Sequence, residues 1–327
     1  MVDPWRLAGF VLIASVLALA GLLHLRLGAA PLGWDVVWQA LTAWSPDNVS
    51  HNIVMEMRLP RLLSAVTVGA ALGLAGALMQ GVTGNPLADP GLLGVNSGAA
   101  FFVVSGLLLF PGGTLAMVPG LAFFGAITAA AVVILSSGST AGPARLILCG
   151  VMVGALFSAL TTSILLLDQQ GLETLRRWLV GSLAFESSEM RRMVLPFLGL
   201  AGIISILNVP ALNLYRLGEQ SAGLMGLHVT RFRLTNLLAV VLLAGSAVAI
   251  AGPIGFVGLV APHLARLLFG PDFRMLVPAS PIIGALLLVL GDAVSRVAVR
   301  PLELNAGIVT AIIGAPVFIF LVLRRER

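Results

Sequence analysis

Fourteen carboxylates, four histidines and one cysteine are the side chains in this 327-residue chain that could act as acid, base, nucleophile or metal ligand. Catalysis or metal binding would need them grouped: paired carboxylates for acid–base work, or His, Cys and Asp at ligand spacing. They are scattered instead. His24, His51, His228 and His263 are far apart, Cys149 has no partner for a disulfide, and no two carboxylates share an apolar stretch. His263, in VAPHLARL, could ligate iron or haem, but a lone His in such a stretch is read as a packed, hydrogen-bonded core residue. His51, Met55 and Met57 have no ligand spacing either. All nineteen basic residues are Arg. A phosphate-binding loop needs a Lys to reach the phosphates, so this chain carries no ATPase site of that kind.

The elements that would position these groups follow from composition. The chain is 58% hydrophobic and 10% charged, with a mean hydropathy of +1.04, against roughly 25% charged residues in a soluble domain. The surface must therefore face lipid. The net charge of +5 forms no basic stripe, which argues against nucleic acid; arginines flanking membrane spans account for it. A span takes about 20 apolar residues, and a charge at its centre costs ~2.5–3.5 kcal/mol, so charge-free intervals map the spans. They run 7–25, 62–88, two within 91–144 divided near Pro111-Gly112-Gly113, 146–167, 193–215, two within 234–265 meeting at GPIGFVG (Gly252 to Gly258), 275–291 and 304–323. The first resembles a signal peptide but is long for a cleaved one, and is read as a retained helix. The expectation is an all-α polytopic membrane protein of about ten helices, one domain over 1–327. Gly69, Gly73, Gly76 and Gly81 recur at helical spacing and predict close helix packing.

Two stretches break the pattern. TGNPLADPGLLG (Thr83 to Gly94) holds two X-Pro pairs that exclude a continuous helix. Such a break at membrane depth requires protein or a watery cavity to satisfy its polar groups. The other is the polar interval 215–233, YRLGEQSAGLMGLHVTRFR. It interleaves Leu217, Leu224, Met225 and Leu227 with charges and glycines, and predicts two short amphipathic helices forming a docking surface on the side of the C-terminus.

Three motifs, in order, carry a family resemblance: MRLPRLLSAVTVGAALGLAGALMQGVTGNPLADPGLLGVNSGAA (Met57 to Ala100), GPIGFVGLVAPHLARLLFG (Gly252 to Gly270) and LELNAGIVTAIIGAPVFIFLVLRR (Leu302 to Arg325). With them the chain resembles, along essentially its whole length, permease subunits of type II ABC importers for ferric siderophores, haem and cobalamin. The family usually has Glu-Leu-Pro before its last helix; here the run is Glu303-Leu304-Asn305, and Asn can begin a helix as an N-cap.

An even span count puts both termini on one side, and Arg324, Arg325 and Arg327 argue that this side is cytoplasmic. The resemblance implies a BtuC-like permease fold in the bacterial inner membrane. It implies two ATPase subunits that hold ATP and Mg, a periplasmic substrate-binding protein and a second permease copy, a homodimer. No cofactor or metal is expected on this chain. It assigns Asn85, Pro86 and Leu87 to a cytoplasmic gate, with the loop Ser139 to Ala144 as a second gate element. Leu217, Gly218, Glu219, Gly226 and Leu227 fall to ATPase coupling, and Arg58, Arg61 and Arg296 to carboxylates of the binding protein, which a guanidinium fork grips through two hydrogen bonds. Arg296 could instead pair with Asp292 one helical turn away. ADPGLLGVNSGAA and RRWLVGSL (Arg176 to Leu183) look most like siderophore permeases, with haem and cobalamin as alternatives. An ion-coupled secondary transporter would need ionisable groups inside its spans; Asp168, Asp292 and Glu303 fall near span ends.

Overall fold

The computed structural model describes residues 4–28, 31–110, 117–138, 142–167, 178–184, 188–299 and 302–325. The division at Pro111-Gly112-Gly113, the start of the Ser139 to Ala144 loop, Arg176, Arg177, Asp168 and Arg327 lie outside these residues. The described chain is helical, with one isolated bridge, Val299 to Leu302, and no strand. Among the described residues seven helices are long and apolar enough to cross a membrane and three shorter apolar ones accompany them, in keeping with the expectation of about ten.

In chain order α1 is Pro4–Arg26, α2 Trp34–Thr42 and α3 Val49–Asn52; a π-helical turn, Ile53–Arg58, leads into α4, Leu59–Thr83. α5 is Val95–Leu109, α6 Val118–Ser137, α7 Pro143–Leu167 and α8 Ser188–Leu207. α9 is Val209–Tyr215 and α10 Glu219–Leu224; α11, Val229–Ala251, α12, Val257–Phe269, α13, Phe273–Ser295, and α14, Ala306–Arg325, complete the chain. The break at GPIGFVG between α11 and α12 is where the glycines and proline place it. Two expectations are corrected. The interval 193–215 is not one helix: it parts at Asn208, where Pro210, lacking an N–H, is tolerated in the first turn of α9. The polar interval forms one short helix, α10, rather than two, because Gly218 (φ +102°) and Gly226 (φ +88°) turn the chain on either side of it.

α4 is the centre of the bundle, buried almost throughout from Ala71 to Thr83. Its glycines admit neighbouring backbone. A Cβ on Gly69 would meet the carbonyl of Gly284, one on Gly73 that of Ser280, and one on Gly76 that of Gly258. Without a hydrophobic force between helices in lipid, such close approach supplies the van der Waals contact that holds them. α1 belongs to the same body: Phe10 stacks on Phe269 of α12 with ring centroids 4.5 Å apart. At the other end of α1, His24 is fully buried against α13. The start of α4, the ends of α1 and α13 and the start of α14 share one end of the bundle. The end of α4, the start of α13, α9, α10 and the start of α1 share the other.

Phe256, at the start of α12, is the one non-glycine with φ in the left-handed region among the described residues (φ +68°). Its ring lies where a Cβ of Gly314 in α14 would be, so the α12–α14 contact holds a conformation that costs about 1–3 kcal/mol by itself.

Candidate functional site

At the α4–α13 start end, α4 stops at Gly84 (φ +63°) and the chain makes its proline turns. Several local polar groups are answered close by. Asn85 Oδ1 accepts the Leu87 N–H at 3.0 Å, the Asn85 carbonyl accepts Ala88 N–H at 3.1 Å, and Thr83 Oγ1 accepts Asn85 N–H at 3.3 Å. Asp89 Oδ1 accepts the Gly91 N–H at 2.7 Å and caps a single 3₁₀ turn, Pro90–Leu93, before Gly94 starts α5. α7 and α12 close over this turn, since a Cβ on Gly150 would meet the Leu92 carbonyl and one on Gly258 the Pro90 ring. This is how broken backbone is kept at membrane depth.

Beside it lies a cavity of about 480 Å³. Gly84, Pro86, Gly218, Glu219, Gln80 and Arg266 are among the residues that line it. The structure therefore brings Pro86 of the assigned gate and Gly218 and Glu219 of the assigned coupling segment to one space, whereas Asn85, Leu87, Leu217, Gly226 and Leu227 do not line it. Gln80 bridges α4 and α12, its Oε1 accepting from Arg266 and its Nε2 donating to the Leu259 carbonyl at 3.3 Å. Glu219 is held by Arg233 of α11 at 2.5 Å, and Arg233 also donates to the Tyr215 hydroxyl at 2.7 Å. Leu217, Leu224 and Met225 are exposed, Leu224 at 91%, while Leu227 tucks against the core. α9 is tied to α13 by Asn213, which donates to Asp272 at 2.6 Å and accepts the Phe273 N–H at 3.0 Å. Burial pushes the Asp272 carboxyl up, but the Arg274 N–H and the Asn213 amide outweigh it and hold the group below its ordinary value. That stabilisation is present at neutral pH and lost as pH falls through the depressed value.

The opposite end collects the three arginines and turns them inward. The π-turn adds a residue to the helical repeat, with the Leu59 N–H donating to the Val54 carbonyl, and directs Arg58 toward α1. Arg58 then donates to the carbonyls of Leu25 and Arg26 at 2.8 and 2.7 Å, and Arg296 donates to that of His24 at 2.5 Å. These are orphan acceptors at the negative end of a helix dipole, which guanidinium groups satisfy on both counts. A Cβ on Gly28 would press on the Arg58 guanidinium, at 2.8 Å. Arg61 forks onto both oxygens of Asp292 at 2.9 Å and reaches Glu303 at 2.7 Å. Asp292, with no exposed surface, also takes His24 Nε2 at 2.8 Å, while Arg296 Nε lies 3.8 Å away. The Asp292–Arg296 pairing at one helical turn is present, within a larger cluster. Arg58 and Arg296 are 6% and 3% exposed, so of the three only Arg61, its side chain 11% exposed beside Glu303, keeps an outward face. A cavity of about 490 Å³ opens there, lined by Glu56, Arg58, Arg61, Arg296 and Glu303.

Three participants went unread in the sequence. His24 closes an apolar helix, and an ionisable group there needs a partner, but its partner lies 268 residues away. Gln80 and Arg266 lie inside the first and second motifs, but nothing in either motif shows that the two side chains pair across α4 and α12. Among the described residues no three of His, Cys, Asp and Glu come together to hold a metal ion, and His263 lies half-buried in α12 without one.

With that geometry in place, comparison with known proteins is direct. The profile of the FecCD transport family matches residues 16–324. The ferric enterobactin transport system permease protein FepD of Escherichia coli K12 is 41% identical over 333 residues, covering 98% of this chain and 99% of that one. The hemin transport system permease protein HmuU of Yersinia pestis is 36% identical, covering 99% and 97%. A solved structure of a metal-chelate type ABC transporter, inward-facing, superposes with a TM-score of 0.86 at 31% identity, over 98% of this chain and 100% of its own. The chain belongs to the FecCD transport family, the permeases of siderophore-, haem- and citrate-type ABC importers.

Proposed function

We propose that the chain is the membrane subunit of an importer that carries a ferric siderophore complex from the periplasm to the cytoplasm, driven by ATP and Mg on two separate ATPase subunits. The observation that carries this reading is the shared cavity: Pro86 of the proline-broken turn and Gly218 and Glu219, where the exposed amphipathic segment begins, line one space at the end of the bundle where α1 begins. That end faces the cytoplasm, with both chain termini. The arginine end faces the periplasm and receives the binding protein, and Arg61, with Glu303 beside it, is the arginine placed to meet a carboxylate of that partner. Arg58 and Arg296 support the same surface from within. A second copy of the chain completes the conduit. Haem and cobalamin are the competing cargoes; relatives named for enterobactin, dicitrate and hemin support the class rather than one member.

The test is reconstitution with the ATPase and binding protein in vesicles, followed by uptake of ferric siderophores, haem and cobalamin. ATP-dependent accumulation of a ferric siderophore alone is expected. Accumulation by the isolated chain on an ion gradient would replace this reading with a secondary transporter.

Gly226 gives a narrower test. A Cβ there has open space, yet its φ of +88° strains any other residue by about 1–3 kcal/mol. Gly226→Val is expected to leave helix content and yield intact while binding-protein-stimulated ATP hydrolysis falls about tenfold, since ~1.4 kcal/mol of misplacement is a factor of ten. Wild-type transport by this variant would remove Gly226 from the coupling surface.

A further inference from the structure

We infer that α2 is an interfacial anchor: it lies in the headgroup boundary of the outer leaflet, with Trp34, Trp38 and Leu41 immersed in lipid. The helix has nine residues, about 14 Å at 1.5 Å per residue, so it cannot cross the roughly 30 Å hydrocarbon layer. At about 100° per residue its side chains sort into three arcs. Val37 and Ala40 form one arc, buried against Leu25 and Val54. Trp34, Trp38 and Leu41 form a second, exposed at 44%, 66% and 38%. Asp35, Gln39 and Thr42 form the third, also exposed.

A helix with a protein side, an aromatic side and a polar side fits one place, the flank of a bundle at the membrane surface. The aromatic arc is continuous with the lipid-facing wall, because the last turns of α1 expose Leu19, Leu22 and Leu23 just before the connection to α2. Tryptophan suits the boundary: its ring is apolar and its N–H seeks a polar partner. Arg26 lies 5.0 Å from the Trp34 ring centroid, a cation at headgroup level that also draws anionic lipid. Trp44, 48% exposed, continues the band and donates its indole N–H to Asn52 at 3.1 Å. Anchored this way, α2 fixes the height of the Arg58–Asp292 cluster relative to the bilayer.

The experiment leaves Trp38 as the single tryptophan, with Trp5, Trp34, Trp44 and Trp178 changed to Phe. The protein is reconstituted in phosphatidylcholine–phosphatidylglycerol vesicles. Emission is then read with phosphatidylcholine brominated near the headgroup or near the chain end, and with aqueous iodide. Depth of about 5–10 Å predicts roughly twofold quenching by the shallow bromine, less by the deep one, and little by iodide. Iodide quenching without bromine quenching, stronger deep than shallow quenching, or shielding only after a soluble protein is added would each overturn the proposal. If the single-tryptophan protein does not fold, W34F/W38F in the otherwise unaltered chain serves instead. The shallow-bromine component must then shrink relative to the parent, and an unchanged component overturns it.

Discussion

Gly76→Leu will leave almost no folded protein. Gly76 is fully enclosed on α4, and the space a Cβ would take is occupied by the carbonyl of Gly258, main chain at the start of α12. A side chain in the way could rotate; this backbone cannot yield without moving α12, and Gly258 itself also packs against the Pro90 ring of the proline turn. Over-packing a core commonly costs about 1–3 kcal/mol where side chains can adjust, so a main-chain collision belongs at or beyond the upper end. Monodisperse yield and the thermal unfolding midpoint in detergent measure it. Gly199→Leu is the matched control: Gly199 is exposed on α8 with nothing within 4 Å, and it should change stability by no more than about 0.5 kcal/mol. Equal yields of the two variants would mean that α4 and α12 are not packed backbone to backbone.

Asp292→Ala is the second large effect, expected to destabilise the protein by about 3–5 kcal/mol. Removing one member of a buried ion pair strands the charge that remains. Here Arg61 loses both arms of its fork, His24 loses its partner and Arg296 its nearest carboxylate. Glu303→Gln removes only the outer acceptor of Arg61, from a side chain 36% exposed, and should cost no more than about 1 kcal/mol. Unfolding midpoints for the pair test the ordering; a Glu303 variant as damaging as the Asp292 variant would place the weight of the cluster at the surface.

Much of this architecture was readable from residue order, because lipid forbids charge inside a span and the prolines and glycines mark where spans end. The α11–α12 break at Gly252-Pro253 and the α4 stop at Gly84-Asn85-Pro86 were both legible this way. Pro210 carried the same kind of signal for the α8–α9 break, and a long apolar run obscured it. α2 went unread, although Trp34, Val37, Trp38 and Ala40 stand at helical spacing, because nine residues are too few to register among spans of about 20. The arginine end was not legible. Arg58, Arg61 and Arg296 were identified as a set, yet what they hold is decided by α1 and α13, distant in sequence. A helix's unsatisfied carbonyls leave no trace in residue type, so nothing in RLPR says that its first arginine closes the end of α1.

The cavity beside Pro86 has a mechanical implication. Because Pro86 of the turn and Gly218 and Glu219 at the start of the short helix border the same hollow, the coupling role proposed above would act on the turn with no long chain of intermediates. Under the proposed importer reading, a rigid wedge lodged in that hollow would hold the proline turn and the short helix in one arrangement and stop transport.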